Sequence, residues 1–263
     1  MKTADVLKSA TISRASEKRA DVNRRFGNAD FGEWVKSWLN KLPTERVLDL
    51  CCGTGNQLVL YAARRDCRVI VGVDISQESL DVATSRLAAM NAVDSVTLEC
   101  ADIDDEFVRP ALVNRDFNLL SCFYGLYYAA NPAAILKSAA DAVTNGGAVV
   151  VVGPYGRNNA SLFEILERHY ELPELVVKSA TTFMVEVVVP ALNESLSVRR
   201  ETFLNRVHYP DSETLLDYWR ASTFYNGDKH EAVATDIEHH FSQHGEFVVE
   251  KHVMAVIGVK ETT

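Results

Sequence analysis

The run VLDLCCGTGNQ, Val47 to Gln57, constrains the fold of this chain more than any other stretch. Val47, Leu48 and Leu50 form an apolar strand of the kind covered on both faces in a parallel sheet. Asp49 interrupts it, and an acid there is costly to bury without partners, so it should face a polar crevice or take backbone donors. Gly53 and Gly55 let the main chain turn tightly and approach a ligand with no Cβ in the way. Leu58, Leu60, Ala62 and Ala63 then follow at helical spacing, so the open N–H groups of the first turn point back toward the crevice. A strand, a glycine turn and a helix start in that order suit an adenosine-type cofactor.

Two further acids occupy equivalent places. CRVIVGVD, Cys67 to Asp74, carries Val69, Val71 and Val73 and ends in Asp74 about one βαβ step after the turn, where a carboxylate can accept hydrogen bonds from two ribose hydroxyls. SVTLECAD alternates Val96, Leu98 and Cys100 before Asp102. Helix caps alone would explain one such acid better than three at successive strand ends. The dinucleotide fingerprint G-x-G-x-x-G needs a third glycine for close helix packing, and Leu58 stands in its place.

The pattern is instead D-x-C-x-G-x-G, from Asp49 through Cys51 and Gly53 to Gly55. It resembles the glycine motif of the class I S-adenosylmethionine-dependent methyltransferases, and D-L-C-C-G-T-G looks like the quinone-biosynthesis and small-molecule branches of that family. Cys51 stands where glycine is commoner. The resemblance is strong from Val47 to Gly153. It implies S-adenosyl-L-methionine as cofactor, held by Asp49, Cys51, Cys52, Gly53, Thr54, Gly55, Asp74, Asp102 and Cys122, with Ile75 and Ile103 flanking the adenine. The DNA-modifying branches carry an Asn-Pro-Pro-aromatic motif after the fourth strand; here Asn131-Pro132 is followed by Ala133 and Ala134 and reads as a helix start.

Strand and helix patterns alternate from Val47 to Pro154, which demands crossover connections and a doubly wound, mostly parallel α/β sheet. SQESLDVATSRLAAMN places Leu80, Ala83, Leu87 and Met90 on one helical face behind Ser76 as N-cap; NPAAILKSAADAVTNGG has Asn131 as cap, Pro132 at the first helical position and Gly146 as its close. FNLLSCFYG and GGAVVVVGP read as the fourth and fifth strands. A helical arm, broadly Ala4 to Leu42, precedes this core. Beyond Pro154, SLFEILERHYEL, DSETLLDYWRAS and KHEAVATDIEHHFSQHG read as helices, RRETFLNRVHYP as a strand, EFVVEKHVMAVIGVK as a long final strand, and FMVEVVVP as either strand or helix. The resemblance implies a Rossmann-like seven-stranded sheet whose last strand is antiparallel, with the extra helices as a lid. We therefore expect one methyltransferase domain over 1–263: an arm at 1–42, a cofactor core at 43–154, a lid and substrate region at 155–245 and the final strand at 246–263.

Methyl transfer from a sulfonium is an in-line displacement in which the protein positions the reactants and excludes water; a general base helps only if the accepting atom must lose a proton. His208 and Tyr209, at the end of a predicted strand, are candidates for that role or for holding substrate. Phe123, Tyr124, Tyr127 and Tyr128 follow the fourth strand, where the resemblance places residues facing the acceptor, often histidines where this chain has Tyr127 and Tyr128. Tyrosine rings there would stack on a flat acceptor or hold an amine. Tyr155 and Trp219 are further candidates for the substrate pocket. His239, His240 and His244, with His230 nearby, include a four-residue spacing that could place two ligands on one helix face, but without a third convergent ligand no metal is expected.

A net charge of −9 disfavours a nucleic-acid partner. Five cysteines without framework spacing argue against a disulfide scaffold, and neither a long apolar run nor a signal-peptide pattern appears, so a cytoplasmic protein away from membranes is expected. Methylation of an O or N atom of a small molecule is the expectation. A catalytically silent binding subunit and, less well supported, an NAD(P)-dependent oxidoreductase remain open, as does a homodimer.

Overall fold

The computed structural model describes residues 6, 9–92, 95–105 and 116–262. The start of the expected arm, at Ala4, lies outside them. Among the described residues seven strands form one sheet: β1 (Arg46–Leu50), β2 (Val69–Asp74), β3 (Val96–Cys100), β4 (Leu119–Phe123), β5 (Ala148–Pro154), β6 (Ser197–Tyr209) and β7 (Phe247–Val259). Their order is β3-β2-β1-β4-β5-β7-β6. Pairing is parallel from β3 to β5. Strands β4 and β5 are buried almost throughout, as continuous apolar runs in a doubly covered sheet should be.

Strand β7 is antiparallel to both of its neighbours. Gly146 N donates to the Lys260 carbonyl, whereas Tyr155 N donates to that of His252, so the partner number falls as β5 advances. Likewise Leu196 lies against Gly258, and Arg206 pairs with Glu250 at 3.0 Å. The final strand is thus antiparallel as expected, and it is inserted between β5 and β6, which leaves β6 at the edge.

The helix caps are local. Ser76 accepts from Ser79 N at 3.3 Å ahead of the helix Gln77–Ala89, which buries Leu80, Ala83 and Leu87. Met90 was expected on that face, but the helix ends one residue earlier and Met90 is exposed. Asn131 accepts from Ala134 N at 3.1 Å, and Pro132–Ala142 buries Ile135, Leu136, Ala139 and Ala140. FMVEVVVP resolves as helix: a wide π-type turn, Met184–Val188, runs into Val189–Asn193, whose first turn contains Pro190.

The described chain divides into two compact units. One comprises Lys36–Gly153, Phe183–Glu201 and the described part of Met254–Thr263; the other comprises the described part of Met1–Val35 with Pro154–Thr182 and Thr202–Val253. The first carries the glycine turn and all three strand-end acids. The expected continuous arm is broken into Ser13–Arg25, in the second unit, and a further helix, Phe31–Leu39, because residues 26–28 pair with β6. His208 N donates to the Phe26 carbonyl at 2.9 Å, Asn28 N to that of Arg206 at 3.2 Å, and Gly27 bridges Val207. The Asn205 side chain accepts from Asn28 N and Ala29 N and donates to the Asn23 carbonyl. A Cβ on Gly27 would collide with that side chain. Part of the exposed edge of β6 is covered in this way. Among the described residues no single helix is long and apolar enough to cross a membrane.

Candidate functional site

Parallel register brings the strand ends level: Leu50 is opposite Val73 on β2 and Cys122 on β4, and Asp74 is opposite Cys100 on β3. Beyond β1 the chain takes two left-handed steps, Cys51 at φ 55° and Gly53 at φ 54°, before Gly55 at φ 80° opens the helix Asn56–Ala62. Glycine suits two of these positions. At Cys51 the conformation is borne by a side chain that packs against Gly125, where any Cβ would collide with it. At Gly53 a Cβ would meet nothing within 4 Å: the turn faces open space, as a cradle for a ligand must.

Asp74 fastens this turn. Its Oδ2 accepts from Gly53 N at 2.8 Å and its Oδ1 from Ser76 N at 2.9 Å, while its main chain accepts from Ala101 N. Each oxygen keeps a lone pair for a further donor. Beside it Ile75 is 54 % exposed. Asp102 Oδ1 accepts from Asp104 N at 3.0 Å, Ile103 is buried, and Asp104 in turn accepts from Ala130 N at 2.8 Å. Thr54 is buried and bonded through both its hydroxyl and its carbonyl to Arg86, which also reaches Asn56. Cys52 and Cys122 are buried, and the Cys51 and Cys122 thiols are hydrogen-bonded.

Asp49 is 1 % exposed. Its Oδ1 accepts from Ser121 Oγ at 2.6 Å, and Ser121 accepts from the Tyr61 hydroxyl at 2.9 Å. Its Oδ2 is buried with no hydrogen-bond partner. Burial pushes the carboxyl up to about 7, the Ser121 hydrogen bond opposes this, and the charge of Asp74 adds to it. Ser121, Tyr61, Arg86 and Asp104 were not singled out from the sequence. Ser121 left one signal: it is the polar residue inside the buried strand LLSCF, and a buried hydroxyl needs a partner.

The residues expected to act on the acceptor are dispersed. Tyr127 and Tyr128 form a 3-10 turn, Leu126–Tyr128, with ring centroids 4.6 Å apart and edge-on; both are half-buried, and Tyr124, at φ 56°, is exposed. These three belong to the unit that carries the glycine turn. His208, Tyr155, Tyr209 and Trp219 belong to the other. His208 is paired with Glu246 at 3.1 Å and about half exposed, and Tyr155 is half-buried and edge-on to His252. Tyr209 and Trp219, expected as candidates for the substrate pocket, are both fully buried. Tyr209 packs edge-on to Tyr218; Trp219 stacks on His230 and donates to the Tyr170 hydroxyl. Strand alternation and the inner face of the helix Ser212–Arg220 put them in the core.

Known proteins are similar to this chain in sequence and in fold. The family described as "Methyltransferase domain" matches residues 41–202. A ubiquinone biosynthesis O-methyltransferase of Neisseria meningitidis serogroup A is 29 % identical over 148 residues, 56 % of this chain and 59 % of the relative. A 23S rRNA (uracil(1939)-C(5))-methyltransferase of Photobacterium angustum is 36 % identical over 97 residues, 37 % of this chain and 42 % of its own length. The chain thus spans about half the length of these curated relatives. Among solved structures, the YcgJ protein of Bacillus subtilis superposes with a TM-score of 0.61 at 13 % identity, over 88 % of this chain and all of the other, a likeness of fold.

Proposed function

From the premise that this chain belongs to the class I S-adenosylmethionine-dependent methyltransferases, we propose that it moves a methyl group onto an O or N atom of a small-molecule acceptor by direct in-line displacement. The observation that carries this reading is the turn at Gly53, open above its main chain and fastened by Asp74. These residues fit the cofactor. When bound, S-adenosylmethionine supplies a methyl carbon already activated by its sulfonium leaving group.

The chain's own groups then bind, orient and exclude water. Asp74, fixed by two main-chain donors, offers its remaining lone pairs to the ribose hydroxyls. Ile75 and Ile103 cover the adenine, Asp102 accepts from its amino group, and Gly53 admits the methionine portion without a Cβ in the way. Tyr124, Tyr127 and Tyr128 face the acceptor, where rings hold a flat or cationic molecule.

A small acceptor is favoured over RNA by the net charge of −9, since binding a phosphate backbone needs a basic surface. The ribosomal RNA enzyme shares only 97 aligned residues with this chain. The test is incubation of the full chain with S-adenosylmethionine and fractionated small-molecule acceptors, following S-adenosylhomocysteine. Acceptor-dependent release supports the proposal; none with any fraction, despite cofactor binding, points to a silent binding subunit. Tyr127→Phe should lower turnover while leaving cofactor affinity nearly intact.

A further inference from the structure

We propose that Ser121 and Tyr61 are positioning residues for cofactor binding: their two hydroxyls fix the Asp49 carboxylate through one oxygen and leave the other for a cationic group of the ligand. This rests on the methyltransferase reading and deepens it. Ser121 donates its proton to Asp49 and Tyr61 donates its own to Ser121, so both act on a ligand through Asp49. Tyr61 reaches Ser121 from the helix Asn56–Ala62, and Ser121 reaches Asp49 from the adjacent strand β4. The carboxylate takes one hydrogen bond, from a hydroxyl that Tyr61 itself holds in place. In the dry interior such a chain of donors is mutually strengthened, and an uncommitted buried oxygen is costly until a donor arrives. S-adenosylmethionine and its demethylated product both carry an ammonium, the donor chemistry this oxygen lacks.

The arrangement makes ligand affinity depend on the ionisation of Asp49. Ionised, it pairs with the ammonium; protonated, it does not. Burial brings that titration to about pH 7. The groups coupled to Asp49 are Asp74 at the end of β2, Cys51 and Cys52 after β1, Tyr61, and Ser121 on β4. Burial pushes the Cys52 thiol and the Tyr61 hydroxyl further up; the Cys51 thiol goes up chiefly through its hydrogen bond to Cys122. These three therefore stay neutral where Asp49 titrates. Ser121 favours the ionised carboxylate, so deleting its hydroxyl moves the titration to higher pH.

The test is calorimetric titration of the full chain with S-adenosylhomocysteine between pH 5.5 and 8, where the ligand's ammonium stays protonated. Wild-type affinity should rise toward tenfold per pH unit below about 7 and level off above it. Ser121→Ala should displace the profile to higher pH, Tyr61→Phe should displace it less and in the same direction, and Ser121→Thr should restore it. A Ser121→Ala profile lowered by one factor at every pH would overturn the proposal, since that is what a merely structural role gives. A flat wild-type profile would overturn it too, with no variant needed. Failure of the folded wild type to bind at any pH would overturn this proposal and the cofactor reading together, whereas pH-independent binding removes the proposal alone.

Discussion

At the scale of single residues, Asp49 serves two opposed demands. Without ligand its charge is disfavoured by burial, so its folded-state pKa, about 7, lies above its ordinary value of 3.8. The sign follows: between those two pH values the unfolded chain has released the proton that the folded chain keeps, so stability is greatest below about pH 4 and declines as pH rises toward 7. The decline approaches about 1.4 kcal/mol per pH unit. Asp49→Asn should remove this component, and chemical denaturation of the two proteins at pH 5 and 7.5 checks it: the difference in unfolding free energy must grow in the variant's favour with pH. Asp74 faces the other way, exposed enough to meet a ligand. Asp74→Ala should weaken S-adenosylhomocysteine binding by about 1.5–3 kcal/mol through lost charged hydrogen bonds, and unchanged affinity would remove Asp74 from the site. Both acids and the glycines were legible because the signal is local, a strand end and a turn within a few positions. Ser121 and Tyr61 were not: Ser121 meets Asp49 from 72 positions away, and only pairing of β1 with β4 joins them.

At the scale of elements, apolar runs and caps placed the strands and helices of the core, because Ser76, Asn131 and Pro132 act on their own first turns. Pairing across the chain was less readable. The arm reads as one helix because nothing near Phe26-Gly27 announces that residues 26–28 will find β6, whose matching residues are about 180 positions away. Asn205 holds that junction with three hydrogen bonds to the main chain. Asn205→Ala removes those three bonds, with Asn28 N keeping only the Arg206 carbonyl, and should cost about 1–3 kcal/mol. Protease cleavage near residues 26–30 should accelerate in the variant, and a wild-type cleavage rate would contradict the role. FMVEVVVP was ambiguous for a different reason: a short apolar run fits a buried strand and a buried helix alike.

At the scale of the molecule, the cofactor side and the acceptor side differ in how much the amino-acid order reveals. A sugar and a main-chain turn impose the same demands on every chain that binds this cofactor, so acids and glycines recur at fixed spacing. An acceptor imposes its own shape, met by side chains from separate segments, and spacing alone does not distinguish a pocket tyrosine from a core one. Tyr209 and Trp219 show this: the same aromatic character that suggests stacking on a substrate also suits a fully buried core. The central claim lies on the cofactor side. It is tested most directly by thermal melting of the full chain with S-adenosylmethionine and, separately, with NAD, because a ligand that prefers the folded state stabilises it, by about 2.7 kcal/mol at a hundredfold excess over Kd. The account predicts a saturable rise in Tm with the first and none with the second. A rise with the dinucleotide, or no rise under saturating S-adenosylmethionine, would contradict it.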